Sequence, residues 1–231
     1  TNDRRQRQMC IRDSYNNLYE FVKSEISSYH FNKWTDDTGE RDIKYRTFKI
    51  QTNFKDLIDN FKGTPGTDPD LTRPTTKKHY DLWKQIGYDS QSTFGCRQDL
   101  IKTKTDFGTK LADILGLEHP QIVMTEQCVG QNIPMHMDVN ASASDAGFGI
   151  KDTIDRGIRI ILFVTDWEPG QVFMMGNRTL SQWRAGETLY WPVTKYPHGT
   201  YNGSHKTCYR IRISGLSTKK FYDTIKNDIT I

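Results

Sequence analysis

The composition of this 231-residue chain indicates one domain with elaborations or two small domains. Lysine and arginine total 32 against 28 aspartates and glutamates, and the resulting net charge of +4 is too small to indicate nucleic acid as a partner. Aromatic residues make up 12%, which favours a folded core. The longest apolar run, 160–164, is far shorter than a bilayer span, so we expect no membrane segment.

The cysteines and the first residues of the sequence are informative about the cellular compartment. Cys10, Cys96, Cys128 and Cys208 stand far apart with no CxxC pair, which is typical of reduced thiols rather than of disulfides or a zinc site. No apolar leader introduced by lysine or arginine opens the sequence. We therefore expect a cytoplasmic protein.

Helical patterns dominate the first half of the chain. Apolar residues at helical spacing predict four helices, over 15–26, 54–61, 80–86 and 99–115. Residues 43–50 alternate between two faces instead, which predicts an edge strand.

Short β-rich runs replace the helical patterns after about residue 120. They cover 121–129, 156–165, 172–175, 188–193 and 207–214, and turn residues such as those at 130–134 separate them. Regularly spaced strands favour a β-sandwich or barrel packed against the preceding helices. We therefore predict an α+β protein in which 1–118 form a helical elaboration and 119–231 the β core, as one structural unit.

A His-x-Asp triplet follows the first of these strands. Residues i and i+2 of an extended segment point the same way, so His136 and Asp138 can converge on one divalent metal ion. Such triplets also arise by chance in a chain of this composition. A solvated histidine beside an aspartate in an Asx turn is therefore the alternative interpretation.

A third histidine and two arginines extend the pattern. His198 ends a strand-like run, and Arg210 and Arg212 share one face of the next strand. Guanidinium groups in a β core need an anionic partner, and a carboxylate fits best. This set contains two histidines, an aspartate and an arginine that could bind a dicarboxylate. It matches a non-heme Fe(II) facial triad beside a 2-oxoglutarate site. His205, in a turn, is the alternative distal ligand.

These residues resemble the signature of the 2-oxoglutarate- and Fe(II)-dependent oxygenases, including small members from bacteriophages and marine bacteria. The resemblance covers roughly the last hundred residues. It implies a double-stranded β-helix, also called a jelly-roll or cupin-like fold, with iron held by His136, Asp138 and His198. It also implies that 2-oxoglutarate chelates the iron while an arginine holds its far carboxylate.

The identity of that arginine stays open at this point. The family's basic residue often lies about ten places after the distal histidine, and Cys208 stands there. Arg210 and Arg212 share the same strand face, and of the two we favour Arg210. Thr125 and Gln127 share a face of an earlier strand, where they could bind the co-substrate carboxylates or satisfy the barrel edge.

The predicted function is that of an oxidoreductase, a dioxygenase that uses Fe(II), O₂ and 2-oxoglutarate and acts as a hydroxylase. It would couple decarboxylation of 2-oxoglutarate to succinate with oxidation of a primary substrate. That substrate stays open between a protein side chain, a small molecule and a nucleobase, because specificity lies in loops. There are two alternatives. One is a cupin-type metalloenzyme without 2-oxoglutarate, since 130–138 and 186–202 also resemble the two cupin motifs. The other is a non-catalytic β-helix binding module.

Overall fold

A computed structural model of the chain describes residues 43–65, 97–101, 105–136, 156–176, 178–193 and 196–231. Three helices occur in these ranges: α1 (Phe54–Asp59), α2 (Asp106–Leu115) and α3 (Lys219–Thr224). The strands are β1 (Lys44–Gln51), β2 (Thr64–Pro65), β3 (Arg97–Leu100), β4 (Glu118–Gln127), β5 (Asn132–His136), β6 (Gly157–Phe163), β7 (Gln171–Met175), β8 (Arg178–Leu180), β9 (Glu187–Pro192), β10 (His198–Asn202), β11 (Cys208–Leu216) and β12 (Ile229–Thr230).

The strands form two sheets with a nested order. The larger sheet has the order β12-β1-β9-β6-β11-β4-β3-β2, and the smaller has the order β5-β10-β7-β8. From β4 to β11 the antiparallel partners are β4 with β11, β5 with β10, β6 with β9, and β7 with β8. Rolling up this long hairpin adds the contacts of β11 with β6 and of β10 with β7. This arrangement is a jelly roll, or double-stranded β-helix, and it confirms the predicted fold class.

The larger sheet separates two apolar cores. The helix-side core lies between this sheet and the helices and includes Ile160, Leu162 and Leu111. The inter-sheet core includes Ile161 and Phe163, which alternate with the first two along β6. Both faces of β6 are therefore covered, which explains why this strand reads as a nearly continuous apolar run.

The helices and strands of the first half agree only in part with the sequence prediction. The helix predicted over 54–61 corresponds to α1, and the edge strand predicted over 43–50 corresponds to β1. β1 is not the edge of the sheet, because the short β12 pairs with it from outside. The helix predicted over 99–115 begins only at Asp106, because 97–100 form β3 and pair with β4. The Thr105 hydroxyl caps that helix by accepting from the N–H of Gly108 at 2.9 Å. The helices predicted over 15–26 and 80–86 lie outside the described residues.

Two strands of the smaller sheet also correct the sequence prediction. Residues 130–134 were predicted as a turn, but β5 begins at Asn132, and His198 begins β10 rather than ending a strand. The division of the chain between residues 118 and 119 stays a prediction, and β1, β2 and β3 from before that point join the larger sheet. No helix in the described part of the chain is long and apolar enough to cross a membrane.

Candidate functional site

The pairing of β5 with β10 brings two of the predicted metal ligands together. His136, the last residue of β5, is the direct Cα partner of His198, the first residue of β10. Paired residues of antiparallel strands have Cα atoms about 4.5–5.5 Å apart, close enough for both side chains to reach one ion. The side chain of His136 and the whole of Asp138 lie outside the described residues. Within the described ranges, no three histidine, cysteine, aspartate or glutamate residues form a group that could hold a metal.

The ring of His198 is buried against the inter-sheet core. Its exposure is 8%, and it lies parallel to Phe173 at 6.4 Å and edge-on to Trp191 at 5.1 Å between ring centroids. Its Nδ1 lies 3.2 Å from the carbonyl oxygen of Tyr196. A carbonyl oxygen can only accept, so Nδ1 carries the proton in this bond and Nε2 of the neutral ring carries the lone pair. That tautomer is the one in which a histidine binds metal through Nε2.

The alternative distal ligand lies elsewhere. His205 is exposed, in the bend that joins β10 to β11. The structure therefore pairs His198 and not His205 with His136.

Arg210 is a buried cation in the same inter-sheet space. Its side chain lies on the face of β11 that carries Cys208, which belongs to the inter-sheet core, while Ile211 belongs to the helix-side core. Arg210 is 5% exposed, and its guanidinium carbon lies 5.9 Å from the centre of the Phe173 ring. Its Nε donates to Cys208 Sγ at 3.3 Å and its Nη2 donates to Gln127 Oε1. Both acceptors are neutral.

No carboxylate among the described residues pairs with Arg210. The three buried carboxylates there bind other groups: Asp99 accepts from the N–H of Lys62 at 3.4 Å, Glu126 from the hydroxyl of Tyr209 at 2.6 Å, and Glu187 from Nε of Arg46 at 2.7 Å. A buried guanidinium without an anion is costly, so the interior suits an anionic ligand at this point.

The other predicted co-substrate residues differ in their surroundings. Arg212 shares the inward face of β11 but is only half-buried, with Val123 and Ile161 as its strand partners. Thr125 donates its hydroxyl to the carbonyl oxygen of Arg210 at 3.1 Å, so it binds the sheet itself. Gln127 is 2% exposed and touches the guanidinium.

Further hydrogen-bond donors lie between the sheets. Thr200 Oγ1, Trp191 Nε1 and Trp183 Nε1 are buried and have no hydrogen-bond partner within the described ranges. Thr200 lies two residues after His198, and the Trp191 ring contacts that histidine. A space lined by unsatisfied donors suits a ligand rich in acceptor oxygens.

The sequence pattern does not identify Tyr45 as a residue that packs against the inter-sheet core. In the structure, Tyr45 reaches this core from β1. Its ring lies edge-on to Phe163 at 6.4 Å, and burial raises the pKa of its phenol. The alternating pattern of 43–50 identifies the strand, but the pairing of β1 with β9 is a long-range contact that the pattern does not contain.

No family model matches the sequence, and no curated protein matches it. Similar solved structures include a prolyl-4-hydroxylase from Pseudomonas putida, 12% identical, covering 71% of this chain and 99% of that one, with a TM-score of 0.41. A cupin domain from Bordetella pertussis is 10% identical over 55% of this chain and 97% of its own, with a TM-score of 0.34. The salicylate 1,2-dioxygenase from Pseudoaminobacter salicylatoxidans is 10% identical over 42% of this chain and 20% of its own, with a TM-score of 0.29. The strand order, and not these similarities, establishes the fold.

Proposed function

We propose that this protein is an Fe(II)- and 2-oxoglutarate-dependent oxygenase that hydroxylates a primary substrate and releases succinate. The observation that carries the proposal is the direct pairing of His136 with His198 in the same jelly roll whose interior holds the buried Arg210, which pairs with no carboxylate among the described residues. The metal ligands would be these two histidines and Asp138.

The donor set suits the metal. Two imidazoles and one carboxylate leave coordination positions open, as non-heme Fe(II) oxygenases require. The hydrogen bond of His198 to the Tyr196 carbonyl orients the ring and favours the tautomer with the lone pair on Nε2. When bound, Fe(II) with O₂ and 2-oxoglutarate supplies the oxidising chemistry and the decarboxylation to succinate.

The remaining residues of the site would orient the co-substrate and exclude water. Arg210 would bind its far carboxylate through a charge-assisted fork. The hydroxyl of Thr200 and the Nε1–H of Trp191 would donate to its other oxygens. The fully buried rings of Phe163, Phe173 and Trp183 line this space and would keep the reacting centre dry.

A binding experiment tests the proposal without knowledge of the primary substrate. The full chain is loaded with Mn(II), which replaces Fe(II) without turnover, and 2-oxoglutarate is titrated by calorimetry. We expect binding that depends on the metal, and a loss of about tenfold or more in Arg210→Met, since each charge-assisted hydrogen bond contributes about 1.5–3 kcal/mol. Arg212→Met should lose less. Arg184→Met is the matched control, because Arg184 is exposed and pairs with Asp166.

The same titration separates the alternatives. A cupin-type metalloenzyme would bind Mn(II) but not 2-oxoglutarate, and a non-catalytic module would bind neither. For the wild-type protein, succinate formation from 2-oxoglutarate and Fe(II) in a screen of peptides, metabolites and nucleobases would then identify the primary substrate.

A further inference from the structure

Gln127 holds the guanidinium of Arg210 without adding a negative charge beside it. Its side chain is 2% exposed and its Oε1 accepts from Arg210 Nη2. We propose that Gln127 is a positioning residue that keeps the charge of Arg210 available for the far carboxylate of the co-substrate. A carboxylate in place of this amide would exclude that co-substrate. The inference rests on the proposed function and concerns how the position and the charge of Arg210 are maintained for co-substrate binding.

The orientation of the Gln127 amide is determined by its other contacts. Its Nε2 donates to the carbonyl oxygens of Gln131 at 3.0 Å and of Thr200 at 3.5 Å. Carbonyl oxygens only accept, so the NH₂ group must face them and Oε1 must face the guanidinium. The backbone at this point is also held, since Asn202 Nδ2 donates to the Gln127 carbonyl oxygen at 2.8 Å. The amide therefore fixes the position of Arg210 from a rigid strand end.

The two polar contacts that the guanidinium makes within the described ranges leave its charge uncompensated there. Nε donates to the sulfur of Cys208 and Nη2 to the amide oxygen, and neither acceptor is an anion. A guanidinium carries five N–H groups, and these two contacts use two of them. A glutamate at position 127 would instead form an internal ion pair, and Arg210⁺ would hold that carboxylate in its ionised form. The ligand carboxylate would then meet a neutralised pair rather than a free cation.

The experiment compares two ligands that differ only at the far end. 2-Oxopentanoate has the length of 2-oxoglutarate but carries a methyl group in place of the far carboxylate. Both are titrated by calorimetry into the full chain loaded with Mn(II). The wild-type protein should prefer 2-oxoglutarate. Gln127→Glu should lower the affinity for 2-oxoglutarate by about tenfold or more and leave 2-oxopentanoate and Mn(II) binding unchanged.

Two further variants complete the design. Gln131→Glu is the matched control: Gln131 is half-buried nearby and its Oε1 accepts from the N–H of Cys128 at 2.8 Å, a bond that a carboxylate also makes. It should keep the wild-type preference. Gln127→Met removes the acceptor without adding charge, so it should reduce the preference less than Gln127→Glu does. It also keeps the inference testable if the glutamate variant fails to fold.

Each outcome decides the matter. If Gln127→Glu retains the wild-type preference, or if both Gln127 variants weaken the two ligands equally, the inference is wrong and Gln127 only supports the sheet. If the wild-type protein itself shows no preference for 2-oxoglutarate, Arg210 is not the anchor, and the proposed function fails together with the inference. A wild-type preference that Gln127→Glu leaves intact contradicts the inference alone.

Discussion

Replacing Thr200 by valine should make the unliganded protein more stable and its co-substrate binding weaker. Thr200 is 4% exposed and its hydroxyl has no hydrogen-bond partner in the described part of the chain. Valine has nearly the same shape, with a methyl group in place of the hydroxyl. Leaving a buried hydroxyl unsatisfied costs about 1–3 kcal/mol, so Thr200→Val should raise the free energy of unfolding by about 1 kcal/mol or more. For a domain of this size that corresponds to an increase in Tm of roughly 2–4 °C per kcal/mol.

With 2-oxoglutarate bound, Thr200→Val should reduce the stabilisation that the ligand provides. If the hydroxyl donates to a carboxylate of 2-oxoglutarate, the valine variant loses a hydrogen bond of about 1.5–3 kcal/mol in the complex. The increase in Tm that 2-oxoglutarate causes in the protein loaded with Mn(II) should therefore be smaller for Thr200→Val than for the wild type. Thermal unfolding with and without 2-oxoglutarate measures both effects on the same samples.

Thr188→Val is the matched control for this prediction. Thr188 is also fully buried, but its hydroxyl donates to the carbonyl oxygen of Phe48 at 2.6 Å. The same substitution there leaves a buried carbonyl without its donor and should lower the free energy of unfolding by about 1–3 kcal/mol. The reasoning is refuted if Thr200→Val destabilises the unliganded protein as Thr188→Val does. It is also refuted if the effect of 2-oxoglutarate on Tm is the same as in the wild type.

Three further predictions concern the metal, a tight turn and alkaline pH. His136→Ala, Asp138→Ala and His198→Ala should each abolish stoichiometric Mn(II) binding in calorimetry, whereas His205→Ala should retain it; the reverse pattern for the last two would move the distal ligand to His205. Gly170→Ala should cost more free energy of unfolding in urea than Gly130→Ala. Both glycines have positive φ, so an alanine at either position carries backbone strain of about 1–2 kcal/mol. Only at Gly170 would the added Cβ also meet backbone, at 2.7 Å from the Gly203 carbonyl oxygen. Equal losses of stability would therefore contradict the turn geometry. Burial raises the pKa of Tyr45 and Tyr190 above 10.0, so the folded state retains their protons longer and the free energy of unfolding should fall as pH rises above about 10. Replacing both tyrosines by phenylalanine should reduce that fall, and an unchanged pH profile would exclude them as its cause.

The sequence contains local information about this fold but not the pairing that makes the site. Successive residues of a strand point to opposite faces, so Cys208 and Arg210 share one face of β11 and Ile211 lies on the other. This local pattern correctly predicts which face of β11 each side chain occupies. The segment 99–115 carries apolar residues near both of its ends, at 100–101 and at 111–115, and this predicts one helix. Only the long-range pairing with β4 makes its first residues part of β3.

The partners of the candidate site are equally non-local. The histidine chemistry is visible in the sequence, but the register that sets His136 opposite His198 depends on the pairing of two strands far apart in the chain. The same holds for the contact of Gln127 with Arg210, which joins β4 to β11. Side-chain type predicts what a residue can bind, whereas the sheet register decides which residues bind together.

The nested strand pairing also has a consequence for the order in which the site can assemble during folding. The loop that closes the β7–β8 pair is the shortest, and each surrounding pair closes a longer one, ending with β4 and β11. Closing a longer loop costs more chain entropy, so we expect the pairs to form from the inside outwards and the chain to fold slowly for its size. His136 and His198 would then come together in the third of the four pairings, and Gln127 would reach Arg210 only in the last. During refolding, burial of the Trp183 ring, which stacks on Phe163 of β6, should therefore precede the appearance of metal affinity, and selectivity for the far carboxylate should appear last.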